Sequence, residues 1–181
     1  GAAYGLQVTT DDNAANQTSS LTLNNIDISV ASGGPEVTTP TTTVGLDVAA
    51  QGYEYGGGDV EITNVSVSGF DVGARVETDF GGNIAITNGY FVDNGVGLVA
   101  DTTGESLFSE AAPFLLPECH PGPPGDIVLT NIFASYNSVQ GAVLFSANDA
   151  SVTNGSFFGN GFVEPGSGLE LTAKGRFRSP A

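Results

Sequence analysis

Five short segments of this chain close on the same residue in the same phase. Leu21-Thr-Leu-Asn-Asn25, Val60-Glu-Ile-Thr-Asn64, Ile84-Ala-Ile-Thr-Asn88, Ile127-Val-Leu-Thr-Asn131 and Ser151-Val-Thr-Asn154 each alternate apolar and polar residues and end on Asn. Asn64 to Asn88 is 24 residues and Asn131 to Asn154 is 23. Asn88 to Asn131 is 43, one period plus the segment 102–124, and Asn25 to Asn64 is 39, one period plus the Gly/Pro/Thr-rich stretch 32–43. Self-similarity at a fixed period marks a repeat architecture, in which each unit buries its apolar face only against its neighbours.

Two further apolar runs follow each Asn. The second runs are 26–30, 65–68, 90–92, 132–135 and 157–158; the third are 46–48, 74–76, 98–100, 142–145 and 169–171. A glycine often opens the third: Gly45, Gly73, Gly97, Gly141 and Gly168. Turns this short leave no room for the helix that a βαβ crossover needs. The expected architecture is therefore an all-β parallel solenoid of about five coils, each with three short strands that pair with their equivalents ~4.8 Å above and below. Stacking places Asn25, Asn64, Asn88, Asn131 and Asn154 in one corner column. Asn tolerates the left-handed backbone of a tight corner, and its amide can donate to the next coil, forming a structural ladder. Asn94, Asn137 and Asn160 form a second column that is interrupted by Phe70. Phe91, Phe133 and Phe157, close behind the first column, are expected to stack inside, with Val67 in that place one coil earlier. Asn83 is expected in a loop, outside either column.

This pattern, over roughly residues 5–173, resembles the right-handed parallel β-helix, the pectin-lyase-like superfold. The resemblance implies a fold shared by polysaccharide lyases, hydrolases and epimerases, phage tailspikes, adhesins and surface proteins, so function must come from the site. Lyases of this fold pair carboxylate-held calcium with a basic residue that removes a proton; hydrolases use Asp clusters followed by His and Arg/Lys motifs. Here Arg75 is the one basic residue before position 174, and it sits beside Asp71 and Glu77, where an ion pair is the simpler reading. Asp11-Asp12 is a paired acid, but the His and basic motifs do not follow it. Neither enzyme pattern is met.

Charge sharpens this reading. Residues 1–173 carry −19 and residues 174–181 carry +3, which leaves −16 overall. A chain without a basic face is a poor partner for phosphates, so nucleic acid is not expected. No apolar run reaches the ~18 residues of a membrane helix, so no membrane insertion is expected. One Cys excludes an intrachain disulfide. A polar, Lys-poor, Thr/Asn/Gly-rich composition of this acidity is associated with extracellular or cell-surface chains, and that location is expected. The expected organisation is a single domain over 1–173 and a basic tail over 174–181. Gly5 to Val8 reads as a third strand without a first or second before it, and no capping helix is seen at either end. The expectation is therefore a fragment, or a unit whose open strand edges stack end to end on other copies of itself.

Chemistry is expected along one edge. Segments leaving the third strands carry Asp11, Asp12, Glu54, Asp79, Asp101 and Glu118, with His120 next to the lone Cys119 and with Asp59 and Asp126 just beyond the edge. Oxygen clusters of this kind suit calcium, a possible ion at Asp11, Asp12, Asp79 and Asp101, and also a polysaccharide partner. No other cofactor is expected, and catalytic residues are not assigned. The function expected is a secreted or surface-exposed structural and adhesion module. The alternative is a piece of a polysaccharide-active enzyme or a glycan-binding tailspike that uses the acidic edge.

Overall fold

The computed structural model describes residues 3–10, 20–30, 43–50, 58–78, 82–103, 125–163, 166–173 and 177–178. Within them the chain forms twelve strands: β1 (Ala3–Thr10), β2 (Leu21–Ser29), β3 (Thr43–Ala50), β4 (Val60–Ser68), β5 (Val72–Thr78), β6 (Ile84–Val92), β7 (Val96–Asp101), β8 (Ile127–Ser135), β9 (Gln140–Ser146), β10 (Ala150–Thr153), β11 (Leu169–Ala173) and β12 (Phe177–Arg178). No helix is present among the described residues. The strands make two six-stranded sheets, ordered β1-β3-β5-β7-β9-β11 and β12-β10-β8-β6-β4-β2. Every pairing is parallel, and no strand pairs with its neighbour in sequence. The chain thus alternates between an odd and an even sheet. Two residues of the expected basic tail, Phe177 and Arg178, pair with Ala150 and Ser151 in the even sheet.

Each repeat contributes two strands, not the three expected. The first and second runs are one continuous strand of nine residues in β2, β4, β6 and β8, bent at the Asn. The cause is local. Asn25, Asn64, Asn88, Asn131 and Asn154 have φ of 54–58°, the left-handed region open to Asn at low cost. One such residue turns the strand without ending its pairing, which resumes at the next position, as Ile26↔Val65 and Val65↔Gly89 show. Their amides form an unbroken chain. Asn64 Nδ2 donates to Asn25 Oδ1 (3.0 Å), Asn88 to Asn64 (2.9 Å), Asn131 to Asn88 (2.9 Å) and Asn154 to Asn131 (3.0 Å).

The second column is built differently. Asn94 and Asn137 are buried, and their amides turn to the backbone: Asn94 Nδ2 donates to Val67 O, Asn137 Nδ2 to Phe91 O and Asn160 Nδ2 to Ala134 O. Their side-chain oxygens accept from the backbone of the preceding repeat, at Phe70 N, Asn94 N and Asn137 N. These side chains explain the glycines that open the odd strands. A Cβ on Gly73 or Gly97 would lie 2.7 or 2.8 Å from the Asn94 or Asn137 amide nitrogen. Asn83 lies between strands, as expected, and there it belongs to a third column. Its N and Nδ2 donate to Asp59 Oδ1, its Oδ1 accepts from Asp126 N, and Asp126 Oδ1 accepts from Asn148 Nδ2 and Asp149 N.

Both sheets feed one core. Leu46, Val48, Val76, Leu98 and Leu144 come from the odd strands, and Ile62, Ile84, Ile86, Phe91, Ile127 and Leu129 from the even ones. On each side of the corner Asn, alternation sends every second residue of an even strand inward, Val60 and Ile62 before Asn64 and Val65 and Val67 after it. Phe91 follows the expectation and is buried, and Phe157 packs against the core half-buried. Phe133 does not. It pairs with Tyr90, while Phe91 pairs with Ala134. A shift of one residue moves a side chain to the opposite face, so Ala134 is inside and Phe133 outside.

Candidate functional site

The structure places the expected acidic edge only in part. Asp11, Asp12, Glu54, Asp79, Glu118 and His120 lie outside the described residues. Asp101, at the end of β7, is buried; its Oδ1 accepts from Thr103 N (2.7 Å) and Thr103 Oγ1 (2.6 Å). Its Oδ2 is buried and receives no hydrogen bond among the described residues. Glu77 and Phe145 flank it in the odd sheet. Asp59 and Asp126 each hold the start of the next even strand, as above. Among the described residues no group of three or more His, Cys, Asp or Glu is placed to hold a metal ion.

Arg75 pairs most closely across strands, with Asp47, and more loosely with its sequence neighbour Glu77. Its Nε lies 2.7 Å from Asp47 Oδ1 and 3.8 Å from Glu77 Oε1. Gln7 Nε2 donates to the other oxygen of Asp47 (2.8 Å). Register causes this, since Gln7, Asp47 and Arg75 are successive partners on the outward side of β1, β3 and β5. Asp71 instead accepts from Thr43 N and Oγ1. The hydrogen bond to Asp47 raises the Arg75 pKa above its ordinary value; burial opposes the rise, and the Asp47 and Glu77 charges and the Tyr4 hydroxyl add to it. The guanidinium therefore stays charged, and Asp47, only 4% exposed, is held by a paired cation.

The outward face of the even sheet carries a different surface. One register column runs Asp27, Ser66, Tyr90, Phe133. The Tyr90 and Phe133 rings are stacked, with centroids 4.9 Å apart and planes 7° from parallel. Phe158 meets Phe133 edge-on at 5.3 Å, and Tyr136 meets Phe158 edge-on at 5.2 Å. Tyr90, Tyr136 and Phe158 remain 46, 52 and 46% exposed, and Phe162 and Val163 lie exposed nearby in sequence. Where this row stops, an open groove of about 430 Å³ begins, lined by Asn25, Ile26, Asp27, Asn64, Val65, Ser66, Asn88 and Tyr90. Aromatic faces beside amides, a hydroxyl and a carboxylate are the ingredients of a small-ligand surface.

Sequence reasoning missed this face. Its signal was present: Tyr90-Phe91 and Ile132-Phe133 sit on opposite phases relative to the Asn, and counting that phase puts Tyr90 and Phe133 outside.

No protein-family model, no curated protein and no solved structure matches the chain.

Proposed function

We propose that the chain is a right-handed parallel β-helix acting as a secreted or surface-exposed structural and adhesion module, and that the even sheet's outward face is its contact surface. The alternation of one odd and one even strand per 23–24-residue repeat supports the β-helix. The observation that carries the function is the outward aromatic row Tyr90, Phe133, Phe158 and Tyr136, running into an open, mostly apolar groove edged by amides, a hydroxyl and a carboxylate. Ring faces and edges left to water gain by being covered, at roughly 25 cal/mol per Å² of apolar surface. An extended polymer that runs along the row covers them one repeat at a time. A polysaccharide is such a polymer, and no membrane or nucleic acid enters this reading.

Adsorption to insoluble uncharged polysaccharides tests it. The chain is expected to partition onto the solid, and the triple variant Phe133→Ser, Tyr136→Ser, Phe158→Ser is expected to stay in solution. Equal adsorption of the folded variant and the parent rules out the row.

A second reading, cleavage of a polysaccharide with calcium at the acidic edge, is favoured by one observation, the buried oxygen of Asp101 that receives no hydrogen bond among the described residues. Calcium-dependent release of new sugar ends from polygalacturonate tests it; no release with or without chelator removes it.

A further inference from the structure

The aromatic stack is one place short. Along the even sheet the outward column reads Phe133, Tyr90, Ser66, Asp27, one residue per repeat. Neighbouring strands lie ~4.8 Å apart, which is also the spacing of the stacked pair, at 4.9 Å. Phe133 covers one face of Tyr90. The other face looks along the column to Ser66, whose short side chain leaves the next ring position open. Asp27, exposed, stands one repeat further on. The groove occupies this gap, with Asn25, Asn64 and Asn88 along its side.

The chemistry of the walls selects the occupant. A flat C–H face suits the negative face of the Tyr90 ring. A bare cation would suit that face too, but it would find donors as well as acceptors around it. Asn64 and Asn88 each spend one amide hydrogen on the ladder and are exposed, so each presents a second N–H. Ser66 both donates and accepts, and Asp27 accepts. A ligand that both donates and accepts satisfies this set, and sugar hydroxyls do so beside a C–H face. A sugar acid is disfavoured by Asp27 and by a chain charge of −16.

Resting on the adhesion reading above, we propose that this slot holds one pyranose ring of an uncharged polysaccharide, its C–H face on Tyr90 and its hydroxyls on Ser66, Asp27 and the asparagine amides. The slot then sets which polymer is chosen, while the aromatic row beyond it supplies area.

Calorimetric titration of the full chain with cellohexaose, mannohexaose, maltohexaose and galacturonic acid hexaose tests the assignment. The central variant is Ser66→Phe, which puts a ring in the open place, continues the stack and keeps the fold; its unfolding midpoint is measured alongside. Tyr90→Ala is the second variant. At least one uncharged hexaose is expected to bind the parent and to lose about tenfold or more in affinity in both variants, while the galacturonic acid hexaose does not bind. Unchanged affinity in folded Ser66→Phe overturns the slot and leaves the adhesion reading standing if the parent still adsorbs to the solid polymers. Preference for the galacturonic acid hexaose overturns the slot's chemistry. No binding of any hexaose, together with no adsorption to solid polymer, overturns both.

Discussion

At the scale of single residues, two side chains hold the molecule in different ways. Asn88 satisfies a backbone demand and a side-chain demand at once: its φ is 58°, it donates to Asn64 and it accepts from Asn131. The two contributions separate by substitution. Asn88→Gly keeps the left-handed backbone and loses two amide hydrogen bonds, so it is expected to cost about 1–2 kcal/mol. Asn88→Ala adds the strain of a Cβ in that region and is expected to cost about 1 kcal/mol more. Chemical unfolding of the two variants checks the order; equal losses would show that the corner angle matters little. Arg75 acts through charge. Arg75→Met leaves Asp47 buried with Gln7 as its remaining partner among the described residues, and a loss of about 3 kcal/mol is expected, read from the same unfolding curves.

Within and between strands, alternation decides the outcome. Phe91→Ala empties a core position and is expected to cost about 3–5 kcal/mol. Phe133→Ala, two residues beyond the equivalent Asn on the outward side, loses a ring stack and is expected to cost about 1 kcal/mol. Similar losses at both sites would contradict the register. The same alternation explains what could be read beforehand. The repeat, the all-β parallel pairing and the odd strands were legible because each turns on residue type at a fixed interval. Three things were not. The corner Asn looked like a strand end, yet a single left-handed residue bends a strand without interrupting its neighbours' pairing. Phe133 reads as an inside residue by aromatic identity, whereas its phase relative to Asn131 puts it outside. Asp47 was overlooked because its partners Gln7 and Arg75 are 40 and 28 residues away, distances that only the register brings together. The candidate site was less legible still: its groove is assembled from three repeats, and no stretch of sequence contains it.

For the whole molecule, charge and stacking oppose each other. Each repeat adds carboxylates to a chain of net −16, so self-repulsion works against every layer. Added sodium chloride is expected to raise the unfolding temperature by screening. Calcium chloride at matched ionic strength is expected to raise it further if the acidic edge takes up the ion, since a ligand bound only by the folded chain stabilises it by mass action. Equal unfolding temperatures in the two salts leave screening alone.

The strand order has a mechanical consequence. Ala3–Thr10 lies at one margin of the odd sheet and Phe177–Arg178 at the opposite margin of the even one. Tension between the two therefore runs along the line in which strands are hydrogen-bonded, and it loads those bonds end-on. Only the outermost layer is exposed to peeling at any moment, and removing it hands the load to the next. Under a pulling force the chain should pay out in steps, each releasing one period of 23–24 residues, or about 80 Å of contour at ~3.4 Å per residue. Two steps should be longer, nearly twice the others: the one that includes the connection 30–42, between β2 and β3, and the one that includes 102–124, between β7 and β8, since Asn25 to Asn64 is 39 residues and Asn88 to Asn131 is 43. A molecule built this way yields to strain gradually and can rewind a layer at a time, which is a useful property in anything that must stay attached to a moving surface.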